Sequence, residues 1–158
     1  NNYKKEFDSI FNKKEIFNDP TIYINITSKD IPSDAPKNCE NWFVMINSPN
    51  NESQDWKKIV QIVRKNVIKK INKILNIDIE HLIEKERVYT PKDIESTSKS
   101  YLGSLYGASS NSKMSAFLRH PNFSNNILNL YFCGGSVHPG GGIPLCLLSA
   151  KIVSNLIK

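Results

Sequence analysis

The sequence predicts an α/β protein, and three observations carry that reading. Residues 21–30, "TIYINITSKD", alternate Ile22, Ile24 and Ile26 with Thr21, Tyr23 and Asn25, the two-residue period of a strand. Residues 53–76 repeat Trp56, Val60, Val63, Val67, Ile71 and Ile74 at helical spacing. Residues 131–158 open on a strand-like run, pass through a glycine cluster and end on a helix-like run. Five of the seven glycines fall between Gly134 and Gly142.

The elements follow in order. Tyr3, Phe7, Ile10 and Phe11 give residues 3–17 a helical pattern, which Asn18-Asp19-Pro20 breaks. The strand at 21–30 is followed by "DIPSDAPKN", a loop by its two prolines. "ENWFVMINSP" is a second strand, more continuously apolar, and is expected to be buried on both faces and to pair with the first. The helix at 53–76 has Ser53 and Asp55 as capping residues and lysines on its remaining faces. Residues 78–85 suggest a second short helix, and "ERVYTP" a brief strand. Pro91 opens another helical turn. Residues 96–112 are rich in Ser and Gly and read as a loop of the kind that lines sites. "NILNLYFCGG" is a strand ending at Gly134, and "IPLCLLSAKIVSNLIK" a helix with Leu145, Leu148, Ile152 and Leu156 on one stripe. Pro144 sits in its first turn, where a missing N–H costs nothing.

The chain has 158 residues, enough for a real core. It does not begin with Met and shows no signal peptide pattern. Its longest uncharged apolar stretch, Ile143 to Leu148, is too short to span a bilayer. The expectation is a soluble, cytoplasmic chain that can touch a membrane surface. The formal net charge is +6, almost all of the basic residues being Lys. The densest basic run, residues 57–73, contains no aromatic, so nucleic-acid binding is not expected. Cys39, Cys133 and Cys146 are odd in number and widely spaced, which fits neither a disulfide framework nor a metal site. They read as small buried hydrophobes in a reducing compartment.

A strand feeding a glycine turn that opens a helix can cradle an anion or a cofactor. The free N–H groups of the first helical turn point outward, and the helix dipole favours negative charge there. No Gly-Lys-Ser/Thr follows the turn, and the spacing is not GxGxxG. By mechanics alone the turn is either such a cradle or a tight structural bend.

Several motifs add to this. "NLYFCGGSVHPGGGIPLCLLSAKIV" resembles the C-terminal signature of the phytoene (carotenoid) desaturase family of FAD-dependent oxidoreductases. "DPTIYINITSKDIPSDAPKNCENWFVMINSP", "ERVYTPKD", "GSLYGASS" and "FLRHPN" resemble further elements of that family in the same order. Asn38-Cys39 stands where the family often has Gly. The resemblance implies the C-terminal part of a two-domain, Rossmann-type FAD-binding flavoprotein. Residues 1–115 would belong to the substrate-binding domain and residues 116–158 to the C-terminal segment of the FAD-binding domain. The remaining N-terminal portion, with its dinucleotide fingerprint, would be a partner. The implied reaction desaturates a long, lipophilic isoprenoid at a membrane on which the enzyme docks peripherally. A retinol saturase or carotenoid isomerase of the same superfamily, or a non-catalytic truncated fragment, stays open as an alternative.

The resemblance also implies the cofactor-binding residues: Gly134, Gly135, Ser136, His138, Gly140, Gly141, Gly142, Ile143 and Pro144. The helix from Ile143 would point its positive end at the flavin's pyrimidine side. Many relatives place an acidic residue just after the strand. Ser136 or Val137 stands there instead, which leaves the ribityl contact to the backbone. No catalytic residue or metal ligand is assigned. His138 is either a general base or a shaper of the turn, with its ring bonded to backbone or cofactor. Arg119 is either a phosphate or carboxylate partner or a structural ion-pair member. His81 and His120 read as surface residues. Tyr101, Tyr106 and Phe117 are either tunnel-lining or core aromatics. Asp30 and Asp34 carry no assigned chemistry.

Overall fold

A computed structural model describes residues 2–107 and 118–157. Helices combine with one small antiparallel sheet, and the chain packs as two units, Asn1–Lys92 and Asp93–Lys158.

In the first unit, α1 (Asn2–Asp8) runs into a π-helical turn, Ser9–Lys13, which Lys14 ends in the left-handed conformation. The aromatic spacing seen in the sequence stacks Phe7 between Tyr3 and Phe11, with ring centroids 5.0 and 5.7 Å apart. Strands β1 (Ile22–Asn25) and β2 (Phe43–Ile46) pair antiparallel, Ile22 opposite Ile46 and Asn25 opposite Phe43. The expected pairing is therefore present. The expected burial of β2 is not: Phe43, Val44 and Met45 are all exposed. A sheet of two strands can cover only one face. Ile22, Ile24 and Ile46 are half-buried on that face, and Tyr23, Phe43 and Met45 stand on the other.

Helix α2 (Trp56–Leu75) is the longest element. The Asp55 carboxylate accepts from the Lys58 N–H at its start, and Asn76 turns left-handed at its end. That backbone bond, and the Lys58 ammonium 3.2 Å away, hold Asp55 below its ordinary 3.8. A lowered carboxylate stabilises the fold above its ordinary pKa and ceases to as pH falls through the lowered value, so the cap weakens only in acid. Trp56 and Ile71 are buried on the inner face of α2, as the periodicity predicts.

After α2 the expected short helix is a single 3₁₀ turn, Glu80–Leu82. The expected strand at 86–91 forms no ladder: residues 86–90 are a strap without regular structure, and Pro91 already begins a helix. Side chains hold it: the Arg64 guanidinium donates to both oxygens of Glu86 at 3.0 and 2.8 Å and pairs with Glu80 at 2.9 Å. An extended segment needs a neighbouring backbone to become a strand, and here it meets an arginine instead. The core of buried hydrophobics is small among the described residues: Ile10, Trp56, Ile71 and Ile79.

The second unit contains most of α3 (Pro91–Ser98), a 3₁₀ turn at Tyr101–Gly103, and α4 (Ile143–Leu156). Pro91 opens α3 as expected. The expected strand ending at Gly134 is reduced to one bridge, Tyr131 opposite Phe123. Backbone bonds flank it, from Ser124 N–H to Leu130 O and from Phe132 N–H to Asn122 O, both 2.9 Å. Leu145, Leu148 and Leu156 on α4 are exposed. The cysteines are also not the buried hydrophobes expected: Cys133 is exposed, Cys39 and Cys146 half-buried, all as free thiols. Among the described residues, no helix is long and apolar enough to cross a membrane.

Glu6 ties α1 to the sheet. Its carboxylate is 2% exposed. It accepts from Thr21 N–H at 3.1 Å, Thr21 Oγ1 at 2.6 Å and Asn47 Nδ2 at 3.2 Å. Removing it leaves the part-buried donors of Thr21 and Asn47 without their acceptor, so Glu6→Ala should lower the stability of the full chain by about 1–3 kcal/mol. Urea unfolding followed by tryptophan fluorescence measures this. A loss within about 0.5 kcal/mol, the range of ordinary surface substitutions, would show that Glu6 carries no such role.

Candidate functional site

The glycine turn lies in the second unit and is held by a buried polar knot. Asn122 is 4% exposed and Ser149 is fully buried. The Asn122 carboxamide nitrogen donates toward Phe132 O at 3.0 Å, His138 O at 2.9 Å and Ser149 Oγ at 2.9 Å. Ser149 Oγ also accepts from the Gly134 N–H at 3.1 Å. The His138 N–H donates to His120 O at 2.9 Å. Both ends of the turn are thereby fastened, one to α4 and one to the segment 120–122.

Asn122 and Ser149 were not among the expected site residues, yet each left a signal. Asn122 ends the quoted "RHPN" motif. Ser149 is a hydroxyl in an otherwise apolar run, "IPLCLLSAKIV", where a buried polar group needs a partner.

The nine expected residues share this one turn but face different neighbours. Gly134 and Gly142 border open space: a Cβ on either would meet nothing within 4 Å. Gly135 packs on the Gly141 backbone and Cys146 Sγ. Gly140 faces the Arg119 guanidinium, and Gly141 lies against the Tyr106 ring, where a Cβ would come within 2.6 Å of Cδ1. Ser136 presents its carbonyl to Gly107. His138 is exposed, and its main chain, rather than its ring, is what is tied in. The His138–Pro139 peptide is cis.

Ile143 and Pro144 form the first turn of α4. The first intrahelical bond runs from Cys146 N–H to Gly142 O, and no side chain caps the helix. The amides of Ile143 and Leu145 precede that bond, and Pro144 has none to offer. An open cavity of about 430 Å³ lies here, lined by Tyr106, Gly142, Ile143, Cys146 and Leu147. Its walls are apolar and aromatic, with the positive end of α4 at the rim. Such a place suits a flat apolar group with an electron-rich edge.

Arg119 donates to Tyr106 O at 2.9 Å and Gly135 O at 3.2 Å, so its guanidinium braces the turn from behind. His120 packs edge-on against Phe132 with centroids 4.9 Å apart, and its Nδ1 lies 2.8 Å from Pro121 O. His81 is exposed beside Asp78. Tyr101 is 82% exposed and so is not a core residue, while Tyr106 lines the cavity. Phe117 lies outside the described residues.

The knot and His138 separate by mutation. Asn122→Asp replaces two donors by a carboxylate facing two carbonyl oxygens and should cost about 2 kcal/mol or more. It should also expose the Gly134 and His138 amides to hydrogen exchange. His138→Ala should leave both amides protected, because only main-chain atoms are engaged. Equal protection in Asn122→Asp would remove the knot from this role.

No protein-family model matches the chain. It is 62% identical over 156 residues to the 1-hydroxycarotenoid 3,4-desaturase of Flavobacterium sp. (strain P99-3), covering 99% of this chain and 32% of that protein. It is 34% identical to the 4,4'-diaponeurosporene oxygenase of Staphylococcus haemolyticus (strain JCSC1435), covering 100% of this chain and 32% of that protein. It is 31% identical to the 4,4'-diapolycopene oxygenase of Methylomonas sp., covering 98% of this chain and 31% of that protein. The chain thus spans about a third of the length of the relatives it matches. Nearly all of the chain's own residues are covered in every case, so the chain is similar to one portion, about a third, of carotenoid desaturases and oxygenases.

Proposed function

We propose that this chain supplies part of the substrate domain and the closing turn of the FAD domain in an enzyme that desaturates a long isoprenoid. The observation that carries the reading is the 62% identity with a 1-hydroxycarotenoid 3,4-desaturase across 99% of the chain. The oxygenase names belong to relatives at 31–35% identity, which favours desaturation over oxygenation here.

The cavity at α4 fits a flavin in its chemistry. The amides of Ile143 and Leu145 are donors for an electron-rich ring edge, and the α4 dipole favours the negative charge that reduction brings. Gly142 leaves the backbone bare where a Cβ would project into open space. Tyr106, Ile143 and Leu147 offer an apolar surface on which the ring can pack. FAD, when bound, supplies the two-electron acceptor for removal of hydrogen across a C–C bond. His138 is assigned to scaffolding: its carbonyl and amide hold the turn. In the first unit, the exposed Tyr23, Phe43 and Met45 face of the sheet is suited to a polyene. The exposed leucines of α4 are assigned to the remainder of the enzyme's length.

A chimera tests the reading. This chain would replace the matching third of the Flavobacterium desaturase, and purified protein would be assayed for bound flavin and for 3,4-desaturation of a 1-hydroxycarotenoid. Flavin retention with turnover is the expected result. Flavin retention with unaltered carotenoid would refute the desaturase assignment. In the same chimera, Gly141→Val should empty the flavin site, because a side chain there drives Tyr106 out of the cavity wall. Unchanged flavin content would remove this turn from the cofactor site.

A further inference from the structure

Helix α2 carries seven basic residues and no acidic one. Their distribution is one-sided. Lys70 pairs with Asp19 and donates to Pro20 O, each at 2.7 Å, and Arg64 is engaged by Glu80 and Glu86. Lys58 meets the capping Asp55. Lys57, Lys65, Lys69 and Lys73 have no carboxylate partner among the described residues, and all four are exposed. With Gln61 they form one ridge at four-residue steps, about 24 Å long at the helical rise. This ridge lies opposite the side that buries Trp56 and Ile71. Beside it Ile62 is 58% exposed, with Lys58 and Lys65 as helical neighbours.

A ridge of unpaired lysines around an exposed aliphatic residue is complementary to a surface that is anionic at its face and apolar just beneath. We propose that the outer face of α2 docks this protein on anionic lipid headgroups, Lys57, Lys65, Lys69 and Lys73 contacting phosphates and Ile62 seating at the acyl boundary. The choice of lipid over another polyanion rests in part on the carotenoid reading, since a polyene substrate resides in the bilayer. It also rests on the face itself. A nucleic-acid surface wants aromatics for stacking and arginines for phosphate and base edges. The ridge holds no aromatic residue, and Arg64, the one arginine of α2, is occupied by two glutamates.

The experiment is co-sedimentation of the full chain with vesicles of phosphatidylcholine alone and of phosphatidylcholine mixed with phosphatidylglycerol. Binding should require the anionic lipid and weaken as salt rises. The quadruple variant Lys57→Gln, Lys65→Gln, Lys69→Gln, Lys73→Gln keeps good helix formers, so its circular dichroism should match the parent. At about fivefold per lysine, its partitioning should fall by roughly 600-fold. Ile62→Ser should weaken binding to anionic vesicles severalfold and shift the remainder toward greater salt sensitivity. Equal binding to neutral vesicles, or undiminished binding of the quadruple variant, overturns the proposal. Tighter binding to duplex or single-stranded DNA than to anionic vesicles at the same salt also overturns it. The desaturase chimera in detergent separates the two readings. Turnover there without anionic-vesicle binding defeats only the docking face; vesicle binding without turnover defeats only the desaturase reading.

Discussion

The buried carboxamide of Asn122 is the constraint on which the second unit depends. It stands at the crossing of three segments: the backbone at Phe132, the backbone at His138 and the hydroxyl of Ser149 on α4. An amide has only two protons to give, so three acceptors at hydrogen-bond distance share them. Ser149 answers by taking the Gly134 N–H as well. In a buried setting these groups have no water to fall back on, so each fixes the others. The glycine turn can be glycine-rich and still be held in one conformation because its anchors are outside it.

The local features were legible in the sequence, and the long-range ones were not. Helix α2 and helix α4 follow from periodicity and end residues, Asp55 and Pro144, that act within a turn of themselves. The β1–β2 pair follows from the alternation at Ile22 and Ile24 and from the apolar run at Phe43–Ile46, joined by a Pro-rich connection. The failures share a cause. "ERVYTP" and "NILNLYFCGG" have strand composition, but a strand is a relation between two backbones, and composition names only one of them. The first became a strap held by Arg64, the second a single bridge with Phe123. The burial expected of Phe43, Val44 and Met45 failed likewise, because hydrophobicity specifies a wish for cover and not its presence. Glycine clustering singled out the turn, and family resemblance went further by implying a flavin there and by marking the motif that ends in Asn122, without saying what Asn122 does.

Exposure is unevenly spread, and its pattern fits the proposed division of labour. On α2 Trp56 and Ile71 are turned inward and most of the lysines face out, while Ile74, on the expected apolar stripe, is exposed near the helix end. On α4 the apolar residues Ile143, Leu145, Leu147 and Leu148 are exposed, with Ser149 alone buried. An amphipathic helix with its polar residue inside and its leucines outside inverts the usual arrangement. Water would not select such a helix as a finished surface. A cofactor and a further protein layer would, and both belong to the function proposed for a chain that spans a third of its relatives' length.

The turn was open to two readings, a tight structural bend or a cradle for a ligand, and its glycines divide between them. Gly135, Gly140 and Gly141 are required by their neighbours. A Cβ at Gly140 would come within 3.3 Å of the Arg119 Nε, and one at Gly141 would overlap the Tyr106 ring. Arg119 in turn donates to Tyr106 O and Gly135 O, so arginine, tyrosine and glycines form one packed brace. Gly134 and Gly142 have no such neighbours. Their φ values of 120° and 102° are ones that side chains rarely adopt, and the space beside them is empty of protein. Gly142 stands between the brace and the uncapped amides of α4. The bend therefore has a packed side that sets its shape and an open side that leaves backbone bare, and a ligand can use the second only because the first is rigid.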